Sequence, residues 1–159
     1  MTGARPAPAA LARLLALGVP GALLTGAYLS QYVGGLYPCE MCYWQRWPHF
    51  AAVGIAALAF LFAAPSRNAR LLTGLAALAI AVSGAIGVFH AGVEYGWWEG
   101  LTRCASAGTM TLEDIMNVPL VRCDEVQFKF LTISMAGWNA ILSLGSAIFI
   151  ALQLKRAGA

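Results

Sequence analysis

The run Leu71 to Phe89, LLTGLAALAIAVSGAIGVF, holds nineteen residues without a single Asp, Glu, Lys or Arg. Wound as a helix at ~1.5 Å per residue, it is long enough to cross the ~30 Å hydrocarbon core of a bilayer. Two similar runs flank it, Leu14 to Ser30 and Leu131 to Leu154. A fourth, Phe50 to Ala64, is short by itself. It reaches spanning length only with Tyr43-Trp44-Gln45-Arg46-Trp47-Pro48-His49 as interfacial first turns. Pro48 suits a first turn, where the missing N–H would have no intrahelical partner. Pro20 lies deeper and is expected to kink the first span.

Composition agrees with lipid as the main solvent. Apolar residues make up 60% of the 159 and charged residues 11%, against roughly 45–50% and about 25% in soluble domains. A chain this short cannot hide so much apolar surface in an aqueous core. A net charge of +3 without a Lys/Arg cluster disfavours a nucleic-acid module, and the composition disfavours disorder or a collagen-like fibre.

The reading is therefore an all-α membrane protein, one domain over 1–159. Its spans fall at about 11–30, 43–64, 71–91 and 131–154, with outer loops at about 31–42 and 92–130. The first apolar run exceeds a signal peptide's core and has no clear small-x-small cleavage site after it, so it reads as a helix. Arg5, Arg13, Arg67, Arg70, Lys155 and Arg156 cluster at the two termini and the short middle loop. The positive-inside rule makes that side cytoplasmic and puts the two longer loops outside. All seven acidic residues and all four cysteines then fall outside. Small-xxx-small pairs at Ala52/Ala56, Ala77/Ala81, Ser83/Gly87 and Ser143/Ala147 are candidate helix contacts. Thr111 to Met116 reads as a short amphipathic surface helix with a capping-box-like start.

Cys39-Glu40-Met41-Cys42 is a C-x-x-C motif just before the second span. A disulfide closing so small a ring is strained, and strained disulfides are the more oxidising ones. Cys104 and Cys123 sit on the long outer loop with eighteen residues between them. Alone they read as a structural disulfide of an oxidising compartment. As a set, a pair beside the bilayer and a pair on a loop above it suit electron passage by thiol–disulfide exchange. A four-thiolate zinc site is the structural alternative. There is no haem-attachment C-x-x-C-H and no dinucleotide glycine fingerprint.

Arg46 follows Cys42 by four residues, one helical turn away on the same face. A cation and a helix N-terminus both favour the reactive thiolate. The guanidinium could equally bond a carbonyl oxygen of an acceptor, or snorkel to headgroups. His90 ends the third span, where an ionisable residue is a functional candidate by default. Glu94, one turn on, is placed to orient it if the helix continues. His49 reads as structural. Tyr28, Tyr32, Tyr37, Tyr43, Trp44, Trp47, Tyr95, Trp97 and Trp98 all flank one interface, with Trp138 in the same half of the fourth span. An aromatic belt normally forms at both interfaces, so some of these rings are expected to wall a site for a flat, apolar headgroup.

Tyr37 to Arg46, Phe89 to Glu94 with Trp97 to Gly100, Cys123 to Val126 and Ser134 to Asn139 together resemble the DsbB (disulfide bond formation protein B) family. The resemblance covers nearly the whole chain, in order. It implies a four-helix quinone-dependent dithiol oxidase of the bacterial inner membrane that reoxidises a soluble thioredoxin-fold oxidase, DsbA. Carried over by position, Cys104 takes the mixed disulfide with the partner, Cys39 relays to Cys123, and Cys42 meets the quinone, ubiquinone or menaquinone. Arg46 and His90 match quinone-contacting residues. No metal, flavin or nucleotide is implied. Glu40-Met41 departs from the apolar pair common between these cysteines, and Gln45 from the acidic residue some members carry.

Three other readings compete. A vitamin K epoxide reductase-like enzyme also combines a C-x-x-C with a loop pair, but there the loop pair comes first. A non-catalytic membrane protein would hold its cysteines as a staple or metal site. A small transporter is disfavoured by the scarcity of ionisable residues inside the spans.

Overall fold

The computed structural model describes residues 8–64, 66–100 and 121–157. Within them the chain forms four helices, α1 (Pro8–Tyr32), α2 (Glu40–Ala59), α3 (Arg67–Glu94) and α4 (Met135–Arg156). A two-stranded antiparallel ribbon, β1 (Lys129–Phe130) and β2 (Ile133–Ser134), precedes α4. By length and composition α1, α3 and α4 can each cross a membrane. Cys104 and the segment from Thr111 to Met116 lie outside the described residues.

The packing is inverted relative to a soluble protein. Ala12, Ala16, Ala52, Ala56 and Ala76 are fully buried, whereas Leu61, Leu78 and Ile148 are 77%, 62% and 63% exposed. Large apolar side chains face outward because the surroundings are themselves apolar, and small ones face inward because helix backbones then approach closely. α3 is the central element, packed most extensively against α2 and α4. At Gly87 an added Cβ would lie 3.0 Å from both the Ala136 carbonyl oxygen and the Ala140 nitrogen. That contact sets how near α3 and α4 can come. Arg13 of α1 donates to the carbonyls of Ala59 and Phe62 at 3.2 and 2.8 Å. These carbonyls lie at the end of α2, where helical partners run out.

Two local expectations are corrected. α2 starts at Glu40, so Pro48 lies well inside the helix and not in its first turn. The earlier start comes from Cys39, an unusual N-cap whose sulfur accepts from the Cys42 N–H at 3.3 Å. The last helix starts at Met135 and not at the beginning of the apolar run, because Leu131 and Thr132 adopt left-handed backbone angles, φ 49° and 67°. Positive φ at both central residues is what a two-residue hairpin turn of type I′ requires. Ser134 then caps α4 by accepting from the Gly137 N–H at 3.1 Å.

Candidate functional site

The N-terminus of α2 carries the C-x-x-C. Cys39 is the cap and Cys42 lies in the first turn, ahead of the apolar part of the helix, with their sulfurs 2.9 Å apart as free thiols. The hydrogen bond from Cys39 holds the Cys42 thiol below its ordinary range; burial opposes this and the Arg46 cation adds to it. The same contact, together with burial, pushes the Cys39 thiol far up. The pair is therefore asymmetric, Cys42 favouring its thiolate and Cys39 its protonated form. The positive end of the helix favours charge at that position.

Arg46 is fixed by α1. It donates to Gln31 Oε1 at 2.6 Å and to the Ala27 carbonyl at 3.4 Å. Its guanidinium carbon lies 4.9 Å from the Tyr28 ring centre and 5.3 Å from that of Tyr43. The residue is only 8% exposed, so it is not a side chain snorkelling to water.

His90 comes to the cysteines from α3, its Nε2 3.5 Å from Cys39 Sγ and its Nδ1 2.8 Å from Gln45 Nε2. α3 does continue to Glu94, whose Oε1 is 3.9 Å from His90 Nε2. Cys123 is disulfide-bonded and buried, and it packs with Cys39, Met41 and Val93. Its backbone is a further hydrogen-bond partner of His90. Gln127 donates to the Tyr37 carbonyl at 2.8 Å, tying the segment after Cys123 to the loop before the C-x-x-C.

A cavity of about 300 Å³ adjoins these groups. All four helices line it, through Ala27, Cys42, Arg46, His90, Trp138 and Asn139 among others. Of the rings expected to wall a site, Tyr37 and Trp138 line it. Trp98 instead stacks on Phe89, with ring centres 5.8 Å apart.

The family model described as "Disulfide bond formation protein DsbB" matches residues 9–153. The chain belongs to the DsbB family. Among its relatives, a disulfide bond formation protein B of Polaromonas naphthalenivorans (strain CJ2) is 33% identical over 91% of this chain and 92% of its own. One from Acidovorax sp. (strain JS42) is 30% identical over 96% and 90%. An uncharacterized protein of Rickettsia prowazekii (strain Madrid E) is 24% identical over 82% and 79%. No solved structure matches. As a DsbB family member, the chain is a membrane protein of disulfide bond formation, with the disulfide-forming oxidoreductase activity the family implies.

Within this DsbB family chain, the structure brings Cys39, Cys42, Arg46, His90 and Cys123 to one end of the bundle. Sequence reasoning missed Gln31, Asn139 and the pairing of Gln45 with His90. Uncharged amides in apolar helices were the available signal, since such residues seldom sit in a membrane interior without a partner.

Proposed function

We propose that this protein reoxidises a periplasmic DsbA-like thioredoxin-fold protein and passes the electrons to membrane quinone. In this reading it spans the bacterial inner membrane four times, with both termini cytoplasmic and the cysteines periplasmic. The observation that carries it is the cavity, where a fixed cation, a thiol favouring its thiolate and apolar walls meet beside the C-x-x-C. Its size and its few convergent polar groups suit a small flat ligand. Arg46 would hold such a ring by a carbonyl oxygen, with His90, Trp138 and Tyr37 as walls. A bound quinone supplies a two-electron acceptor.

The chain's own thiols perform the exchange. A partner thiolate attacks Cys104, forming a mixed disulfide and releasing Cys123 as thiolate. Cys123 attacks Cys39, the Cys39–Cys42 bond breaks, and Cys42 leaves as thiolate. The partner's second thiolate frees Cys104 and leaves the partner oxidised. Cys104 then attacks Cys123, re-forming the loop disulfide and freeing Cys39. The electron pair leaves the chain from Cys42 as the Cys39–Cys42 bond re-forms. Cys123 packed on Cys39 supports the second step.

The test is quinone reduction, followed by ultraviolet absorbance, on adding a reduced thioredoxin-fold partner to the purified protein. Quinol should form with wild type and vanish with Cys42→Ser. With Arg46→Ala it should need at least about tenfold more quinone, the loss of one charge-assisted contact. Quinol formation that survives Cys42→Ser would overturn the assignment. No quinol from wild type would overturn the function.

A further inference from the structure

Between the helices below the cysteines runs a chain of hydrogen bonds whose direction is fixed. Asn139 Nδ2 lies 2.8 Å from Gln45 Oε1 and 3.2 Å from the Ser83 carbonyl. Gln45 Nε2 lies 2.8 Å from His90 Nδ1 and 3.2 Å from the Met41 carbonyl. A backbone carbonyl can only accept. Each amide is thus pinned at one end, with its nitrogen toward a carbonyl, and neither can be turned over without setting N–H against N–H or oxygen against oxygen. Asn139 donates to Gln45, and Gln45 donates to His90.

His90 Nδ1 must therefore be an acceptor, and the neutral ring carries its proton on Nε2. The surroundings of Nε2 agree: Cys39 Sγ at 3.5 Å can receive that proton's hydrogen bond, the Cys123 backbone is a further partner of the ring, and Glu94 Oε1 lies 3.9 Å off, beyond hydrogen-bond reach. We infer that Gln45 and Asn139 are positioning residues that lock His90 as an Nε2–H donor aimed at the Cys39 sulfur. Resting on the exchange reading above, this gives the lock a use. When Cys104 re-forms the loop disulfide and Cys39 departs, the charge developing on the Cys39 sulfur meets a donor already in place, which needs no reorganisation. A histidine held in the other tautomer would present a lone pair to that charge.

The lock also bears on metal binding. Cys39 Sγ, Cys42 Sγ and a ring nitrogen of His90 lie within 4.8 Å of one another, a Cys2His set of the kind that holds zinc with one position open. Ligation through Nε2 needs its lone pair, and so a proton on Nδ1, where the Gln45 N–H already points. The same amide that arms His90 toward Cys39 keeps the reduced pair from becoming a metal trap.

Two histidines in the chain make ¹⁵N spectroscopy of labelled, full-length protein decisive. In wild type at neutral pH, His90 should show a protonated Nε2 and a bare Nδ1, assigned by loss of its signals in His90→Ala. In its ionised form Gln45→Glu offers Nδ1 only an acceptor and should move the proton there. In the reduced form, Gln45→Glu should bind cobalt, read by sulfur-to-cobalt charge-transfer absorbance, at least tenfold tighter than wild type. A wild-type Nδ1–H tautomer, or equal cobalt affinity in the two proteins, would overturn the lock. The tautomer spectrum needs neither quinone nor partner, so a protein with the Nε2–H form that makes no quinol would sink the oxidase reading and leave the lock standing.

Discussion

Toward the end of the bundle away from the cysteines, Ala12, Ala16, Ala52, Ala56, Ala76 and Ile80 close into an apolar cluster. At the cysteine end the same helices bury Gln45, Arg46, His49, Ser83, His90 and Ser143. The first region holds the helices by shape, since small side chains let backbones come together and lipid gives no hydrophobic drive. The second holds them by hydrogen bonds, because an unpaired polar group there has no water to fall back on. Such residues are expensive in a membrane and mark function by default. The contrast says where chemistry is confined: one end is packing, the other is a site.

The largest effect expected of this contrast is in thiol reactivity. At the cysteine end the hydrogen bond to Cys39 and the nearby Arg46 hold Cys42 below the ordinary thiol range, while Cys39 is pushed far above it. In reduced protein Cys42 should be alkylated at about pH 7, where an unperturbed thiol is mostly protonated, and Cys39 should stay unlabelled. As pH falls, labelling of Cys42 should decline only below the usual thiol midpoint. Arg46→Ala should move that midpoint upward. Mass spectrometry after timed alkylation reads all of this. Equal labelling of the two cysteines would break the asymmetry on which the Cys42 assignment rests.

Next in size is Asn139→Leu, which imposes the packing of the apolar end on the polar one. Asn139 accepts from His49 and Ser143 at 2.9 Å each and donates to Gln45 at 2.8 Å. Its loss strands several buried groups, each costing about 1–3 kcal/mol. Thermal unfolding in detergent should show a markedly lowered midpoint. The converse change, Gly87→Ala, adds bulk where α3 meets backbone atoms of α4 at 3.0 Å. Overpacking of this kind costs about 1–3 kcal/mol, and it should leave the labelling of Cys42 unchanged. If Gly87→Ala altered thiol reactivity as strongly as stability, the two regions would not be separable.

How much of this was legible follows from which contacts are local. The apolar runs that became α1 and α3 stand out because lipid demands long uninterrupted stretches, and the C-x-x-C with Arg46 stands out because its spacing lies within one helix. Gln31 could not be found beside Arg46, since the two are joined only when α1 packs on α2. The early start of α2 was hidden because cysteine is not among the usual N-cap residues. Asn139 and Gln45 were visible as residues of a family-like pattern. Their roles depend on the direction of hydrogen bonds between three helices, which no one-dimensional spacing encodes.

The hairpin before α4 was the least legible feature and supports the smallest prediction. Leu131 and Thr132 continue an apolar run, yet both take left-handed angles. For a β-branched residue that conformation is an outlier, with a cost of about 1–2 kcal/mol. The turn persists because its neighbours hold it: the Tyr95 hydroxyl donates to the Thr132 carbonyl at 3.4 Å and accepts from the Ser134 N–H at 3.1 Å. Trp138 donates to the Phe130 carbonyl at 3.0 Å. Every one of these bonds uses backbone groups of this segment, so Thr132→Gly keeps them and loses only the exposed bond from the Thr132 hydroxyl to the Leu131 carbonyl. It removes the strain and adds some unfolded-state entropy, for a net gain of up to about 1 kcal/mol. A β-region conformation at this position would instead make glycine destabilising by roughly 0.5–1 kcal/mol. The sign of the shift in unfolding midpoint therefore decides whether the start of α4 is fixed by this turn or by the apolar run that continues through it.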